Sequence, residues 1–345
     1  MNEHPPDFTI IDKAEKVEPP ITIQSKLEKK EEKDHVYMVP IIIVGIVFSC
    51  IFSKSKKMKI IDTIFTHKYL EWIAHIGFLW LMYIAGLSVH KEVFEGELAK
   101  STYIVALTGI VIPFVLAFCV MYFGMSYNIK SSILIAIVLS ITAEAATTVA
   151  LKNNNIEDTL TGSLVLGAGL IDDTFGLLSY IIFSLLCNFE LTFIGVGLPV
   201  LALILFVIGY LTKTSFLKNN IIFKITSFVF LFFIGYTANV GYFISHPHYI
   251  ILFVLILVVG IIGKYGGVFV GFSIVKNEFT SIERQIIAWG MNSRGIVGMV
   301  IVLSALRYGI INRKLYTVLL VASIVTTLMF PIALYNLRQK QDTIR

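Results

Sequence analysis

The chain has 345 residues, of which 56% are hydrophobic and only 15% are charged. A soluble domain carries about 25% charged residues, so this chain lacks the polar side chains that cover a globular surface. The composition predicts a polytopic membrane protein and excludes soluble enzymes, disulfide-rich secreted domains and nucleic-acid binders. The formal net charge of +5 fits loop lysines that face anionic lipid headgroups.

Ten apolar segments follow a charged N-terminal stretch. Residues 1–36 contain proline, many charges and few aromatic residues, so we expect a disordered cytoplasmic tail. The predicted spans are 37–53, 69–89, 98–124, 130–151, 159–188, 191–212, 219–243, 249–275, 282–306 and 314–337. Most exceed the roughly 20 residues that cross a bilayer, although the first is short. Residues 338–345 are predicted to be a cytoplasmic tail, because the distribution of lysine and arginine favours both termini inside.

The two halves of the chain resemble each other at an offset of five spans. Gly86 in the second span and Gly235 in the seventh each follow an aromatic-rich stretch. An odd offset reverses the direction of crossing, which is typical of an inverted-topology repeat. The sequence therefore predicts an all-α membrane protein of about ten transmembrane helices, arranged as two inverted five-helix repeats.

The fourth and ninth spans are interrupted by polar residues. Residues 142–148 include Glu144 and three threonines at membrane depth, and residues 290–295 include Asn292 and Arg294. Lipid does not tolerate such groups, so they line a cavity or another helix. We predict two crossed discontinuous helices, in which Glu144, Arg294 and Asn292 compensate the exposed half-helix dipoles or the two charges pair with each other. Ordinary polar kinks between helices are the alternative.

Two adjacent carboxylates lie in the middle of the fifth span. Asp172 and Asp173 are about ten residues from its start, roughly 15 Å deep at 1.5 Å per residue. Inserting one such charge at the bilayer centre costs about 2.5–3.5 kcal/mol, so two adjacent carboxylates there indicate a functional site. Lys264, in the eighth span, needs a counter-ion at a similar depth. We predict that Asp172 pairs with Lys264, that Asp173 binds a transported monovalent cation or proton, and that Thr142 belongs to the same site.

These groups can couple a cation to a proton. A desolvated carboxyl group holds its proton more tightly, whereas a bound cation favours the ionised form, so the two compete. A site that faces each side of the membrane in turn then becomes an exchanger. If Lys264 also releases its proton when the cation arrives, two protons move per cation and the cycle is electrogenic. Histidines that flank spans, such as His75, are predicted to be interfacial. The alternative is that they tune a pH response, because histidine titrates near neutral pH.

The motifs MYIAGLSV, ITAEAATTVALK, GSLVLGAGLIDDTFGLL, GKYGGVFVGF and GMNSRGIVGMVIV resemble the monovalent cation:proton antiporter superfamily, in the branch of bacterial Na⁺/H⁺ and K⁺/H⁺ exchangers. The resemblance covers nearly all of residues 70–337 in the family's order. It departs from the family in about two missing spans between the sixth and seventh, in Ile296 where the family commonly has Glu, and in Glu144 where Ser, Thr or Asp is usual.

The resemblance implies a core domain, about 98–188 and 249–337, that slides against a scaffold or dimerisation domain, about 37–89 and 191–243. By it, Asp173 matches the ion-binding aspartate, and Asp172 with Lys264 matches the salt bridge of electrogenic members. We expect exchange of Na⁺, K⁺ or Li⁺ for H⁺ in the cell membrane, a homodimer in the bilayer, no cofactor, no enzymatic activity and no nucleotide-binding domain.

Three other classes remain open. An intramembrane aspartyl protease also needs two aspartates, but takes them from separate helices. A bile-acid-type sodium symporter shares the inverted repeat, but Lys264 beside paired aspartates favours proton coupling. A shortened, non-transporting homologue with a regulatory role is the third, and a flux assay separates it from a transporter.

Overall fold

The structure is a computed structural model, and it describes residues 38–52, 68–87, 96–142, 144–186, 197–212, 221–238, 240, 246–275 and 279–344. These residues form twelve α-helices and contain no β-strand, which confirms the predicted all-α fold. The predicted disordered tail, residues 1–36, lies outside the described residues.

The helices are numbered here in chain order. They are α1 (Met38–Phe52), α2 (Lys68–Leu87), α3 (Gly96–Cys119), α4 (Ile129–Ser140), α5 (Glu144–Asn153), α6 (Leu160–Leu186), α7 (Leu198–Thr212), α8 (Ile221–Thr237), α9 (Pro247–Ile274), α10 (Ser281–Gly290), α11 (Ile296–Arg307) and α12 (Arg313–Ile344). A π-helical turn, Val120–Gly124, extends α3. By length and composition, four described helical segments can cross a membrane: Leu98–Gly124, Leu160–Leu186, Pro247–Ile274 and Arg313–Lys340.

The fourth and ninth predicted spans are each divided into two helices. The chain leaves α4 at Ile141 in extended backbone (φ −84°, ψ 144°) and becomes helical again at Glu144. The second interruption, residues 291–295, separates α10 from α11. The polar stretch 142–148 covers the end of the first interruption and the start of α5, because residues 144–153 are helical and include alanine and leucine, which favour helix.

The most extensive helix contacts divide the helices into two sets. We call α1, α2, α7 and α8 the four-helix group, in which α2 packs on α7 and α8, and α1 packs on α8. We call α3–α6 and α9–α12 the crossing bundle, because it contains both interrupted helix pairs. The strongest contact in the bundle joins α3 to α9.

Glycines bring α9 directly against α3. A Cβ atom on Gly267 would lie 2.6 Å from the carbonyl oxygen of Thr108, and one on Gly263 would lie 2.8 Å from the Cα of Pro113. A side chain has no room at either position, so the two backbones touch, as small residues allow between membrane helices. This contact fixes the helix that carries Lys264.

The last helix is longer than the sequence analysis predicted. The predicted span ends at residue 337, whereas α12 continues to Ile344. The added turns contain arginine, glutamine and lysine, which are good helix formers even where they are not apolar. Arg338 also donates from Nη1 to the carbonyl oxygen of Asn154, 2.6 Å away, and so ties this extension to the α5–α6 connection.

Candidate ion-binding site

The paired carboxylates lie at the midpoint of α6. Asp172 is 1% exposed and Asp173 is 8% exposed, so both are buried in the crossing bundle. Adjacent residues on a helix point about 100° apart, which lets the two carboxylates meet different partners. The close packing of Gly176 against Ile141 brings α6 to the first helix interruption.

Lys264 is the partner of Asp172 in the structure. Its side chain is fully buried, and its Nζ contacts Oδ2 of Asp172 as an ion pair. The other oxygen, Oδ1, is buried and has no hydrogen-bond partner within the described part of the chain. Two charges taken out of water are stabilised only by close mutual contact and further hydrogen bonds. The pair therefore depends on its polar neighbours.

Thr142 connects this ion pair to both helix interruptions. Its hydroxyl lies within hydrogen-bonding reach of Asp172 Oδ2 and, at 3.0 Å, of the Met291 carbonyl oxygen. A hydroxyl has one hydrogen, so it donates to only one of these acceptors at a time. The structure thus brings together Asp172, Lys264 and Thr142 at the point where the two interrupted helix pairs meet.

Arg294 lies in the second interruption and reaches the end of α4. Its Nη2 donates to the Leu139 carbonyl oxygen at 3.0 Å, and Leu139 is in the last turn of that helix. The last four carbonyls of a helix lack intrahelical partners and carry partial negative charge, which a cation stabilises. A Cβ atom on Gly260 of α9 would lie 2.5 Å from the same Nη2, so glycine leaves the space that the guanidinium fills.

The remaining predicted residues lie in the same region. Asn292 is buried, donates from Nδ2 to the Ala288 carbonyl oxygen at 3.0 Å, and has an Oδ1 without a partner among the described residues. Glu144 opens α5, but its side chain is outside what the structure describes, so its predicted pairing with Arg294 stays a prediction. The sequence did not reveal the backbone acceptors at Leu139 and Met291, because no residue pattern marks a carbonyl.

The fold and this arrangement define a membrane transporter, and similarity to known proteins identifies its type. The chain belongs to the sodium/hydrogen exchanger family, whose transmembrane-region model matches residues 35–228 and 212–337. The two matches overlap over residues 212–228, from the end of the sixth predicted span into the seventh. The antiporter resemblance is thereby confirmed, and the protein is an integral membrane transporter of sodium/hydrogen exchanger type.

Two individual proteins illustrate the relationship. The Na⁺/H⁺ antiporter NhaS4 of Synechocystis sp. is 23% identical over 338 residues, covering 76% of this chain and 81% of NhaS4. The solved structure of the sodium proton antiporter MjNhaP1 from Methanocaldococcus jannaschii has a similar fold, with a TM-score of 0.57 and 12% identity. That match covers 86% of this chain and 88% of the MjNhaP1 chain.

Proposed function

We propose that the protein exchanges a monovalent cation, with Na⁺ favoured over K⁺ and Li⁺, for protons. The observation that carries this proposal is the buried contact of Lys264 with Asp172, next to a second buried carboxylate at Asp173. A structural salt bridge would need only one of these two acids. The second acid is the group that we assign to the transported ion, and Thr142 supplies a nearby neutral oxygen.

The coupling follows from competition at these groups. A cation binds the ionised form of Asp173 and a proton binds the neutral form, so each expels the other. Lys264 holds a proton while it faces the Asp172 carboxylate. When the cation changes the charge balance at the paired acids, Lys264 can release that proton as well. Two protons then move per cation, and the exchange responds to membrane voltage.

An inverted repeat and an elevator-like motion account for access from both sides. The packing supports the repeat, because α1 on α8 and α2 on α7 are the pairs that a five-span offset exchanges. Each pair is built on glycines: a Cβ on Gly45 would meet the carbonyl oxygen of Phe232, and one on Gly209 that of Tyr83. In this proposal the crossing bundle, the predicted core, carries the ion past the four-helix group, the predicted scaffold.

The charges at the interruptions stabilise the half-helix ends throughout this motion. Arg294 compensates the negative end of α4 through Leu139, and Asn292 and Glu144 serve the neighbouring ends. Glu144 also replaces the family's usual acid after Arg294-Gly295, which keeps one carboxylate near the arginine. We further propose a homodimer in the plasma membrane with both termini in the cytoplasm.

Cation-driven dissipation of a pH gradient in proteoliposomes tests this function. Wild type should dissipate the gradient on addition of Na⁺, Li⁺ or K⁺, and the order of rates identifies the cation. Asp173→Asn should abolish dissipation, whereas Lys264→Ala should retain exchange but lose its response to voltage. Absence of dissipation with every cation, from folded wild-type protein, would instead favour a non-transporting homologue.

A further inference from the structure

A buried histidine and an arginine join the four-helix group to the crossing bundle. His75 of α2 is 7% exposed, and its Nε2 lies 3.0 Å from Nη1 of Arg307, the last residue of α11. The Arg307 guanidinium also lies over the ring of Phe233 in α8, with 5.6 Å from Cζ to the ring centre. Arg307 and the packing around it bury the His75 ring within the protein.

Two further hydrogen bonds join the start of α12 to the end of α8. Arg313 donates from Nε to the Thr237 carbonyl oxygen at 2.8 Å, and the Tyr316 hydroxyl donates to the Ile234 carbonyl oxygen at 2.7 Å. Both acceptors are in the last turn of α8, and both donors are in the first turn of α12. The connection from α11 to α12 is therefore attached to the four-helix group at one end of the molecule.

The contact with Arg307 requires a neutral His75. A guanidinium group has only donors, so Nε2 must accept and the ring proton must reside on Nδ1. Nδ1 is buried and has no hydrogen-bond partner in the described part of the chain. A second proton would remove the acceptor and place two like charges about 3 Å apart, where they repel strongly away from water. The contact can thus exist in only one protonation state of the histidine.

The charged groups around His75 reinforce this dependence. Arg313 and Lys314 begin α12 beside Arg307 and add positive charge to the same end. The four-helix partner α7 has no charged residue, and α8 has only Lys224, whose side chain is outside the described part. On α2 itself, Lys68 and Glu71 precede His75 and their side chains are likewise not described, so Glu71 needs its own control.

We propose that the His75–Arg307 contact is a pH-sensitive latch between the four-helix group and the crossing bundle. It is closed while His75 is neutral and opens when His75 takes up a proton. Its role in transport rests on the proposed function, because an elevator-like motion of the bundle has to break this contact. Acidification at this end therefore releases the bundle, and neutral or alkaline pH holds it.

Hydrogen–deuterium exchange of the purified full-length protein between pH 8 and pH 5.5 tests the latch without a transport assay. After correction for intrinsic exchange rates, residues 307–316 should open more as the pH falls. The opening equilibrium should rise by up to about tenfold per pH unit below about pH 6.5, where exposed histidine titrates. His75→Gln keeps a neutral acceptor for Arg307, so it should remove this pH step.

Matched variants make the result decisive. Arg307→Gln removes the fixed charge and should also weaken the step, which keeps the proposal testable if His75→Gln does not fold. Arg313→Gln loses a contact to a backbone carbonyl and should keep the step, and Glu71→Gln should keep it too. An identical pH step in wild type, His75→Gln and Arg307→Gln would overturn the latch. Failure of cation-driven exchange in wild-type vesicles would overturn the proposed function but leave this result standing.

Discussion

The crossing bundle buries two positively charged side chains, Lys264 and Arg294, and their partners differ in kind. Lys264 contacts the carboxylate of Asp172, which can gain or lose a proton. Arg294 donates to the peptide carbonyl of Leu139, which cannot. The difference separates a contact that can change during exchange from one that stabilises a helix end in every state. The variants below change these contacts, their neighbours or the helix that carries Lys264.

The largest effect is expected when the ion pair loses one member. Lys264→Ala leaves the Asp172 carboxylate buried without its counter-ion, which should lower the free energy of unfolding by about 3–5 kcal/mol. Removing both charges, with Lys264→Met and Asp172→Leu together, should recover most of that loss. Denaturant titration of each variant in detergent micelles measures the difference. A double variant as unstable as Lys264→Ala would contradict the ion pair.

Breaking the arginine contact should cost less, because the acceptor that it leaves, the Leu139 carbonyl oxygen, is a neutral dipole. Arg294→Gln leaves the end of α4 without its cation and should lower the free energy of unfolding by about 2–3 kcal/mol. Arg294→Lys keeps the charge and a donor, so it should lose less. The same titration compares both variants. If glutamine is tolerated as well as lysine, the charge at the helix end does not contribute.

The proposed pairing of Glu144 with Arg294 can be tested by measuring transport. If it compensates Arg294, Glu144→Gln should slow cation-driven exchange in wild type and have a smaller effect on exchange in Arg294→Gln. Folded Glu144→Gln protein with full exchange would show that the two charges are independent.

Hydropathy and polar interruptions in the sequence predict much of the fold. The predicted spans 98–124, 159–188 and 249–275 agree within about two residues with helices in the structure, because long apolar runs end at polar turns. The second interruption was placed correctly, since Gly290–Gly295 combines glycine with buried polar groups. The first lies at the beginning of the polar stretch 142–148, and the later threonines of that stretch are helical because α5 begins at Glu144.

Contacts across the chain were harder to predict. The depth of Asp172 and Lys264 in their spans indicated a pairing, because each needs a counter-ion in the bilayer. His75 and Arg307 gave no such signal, since they are 232 positions apart and each lies near a helix end, where polar residues are common. Backbone acceptors such as Leu139 are equally invisible in a residue pattern.

Thr142 tests whether the titratable contact depends on its hydrogen-bonding neighbour. Thr142→Val keeps the shape but removes the hydroxyl that reaches Asp172 and Met291, so the free energy of unfolding should fall by about 1–2 kcal/mol. Exchange should slow as well, and Thr142→Ser should restore both. Denaturant titration and pH-gradient dissipation measure the two effects. Equal exchange by the valine and serine variants would exclude a role for the hydroxyl.

The smallest expected effect distinguishes two adjacent glycines on α9. Gly267→Ala places a Cβ 2.6 Å from the Thr108 carbonyl oxygen and must push α9 away from α3, whereas Gly266 has no described atom within 4 Å of its Cβ position. At Gly267, overpacking outweighs the helix preference of alanine, so Gly267→Ala should lower the free energy of unfolding by about 1 kcal/mol. At Gly266 only the helix preference acts, so Gly266→Ala should raise it by about 0.5–1 kcal/mol.

Gly267→Ala should also affect the contact of Lys264 more than the contact of Arg294. Gly267 is within one turn of Lys264, whereas Gly260, which faces Arg294, is about two turns away. Gly267→Ala should therefore weaken the voltage response of cation-driven exchange, since it shifts Lys264 relative to Asp172, while Gly266→Ala should keep the wild-type voltage response. Equal voltage responses of the two variants would mean that the position of α9 on α3 does not control the ion pair.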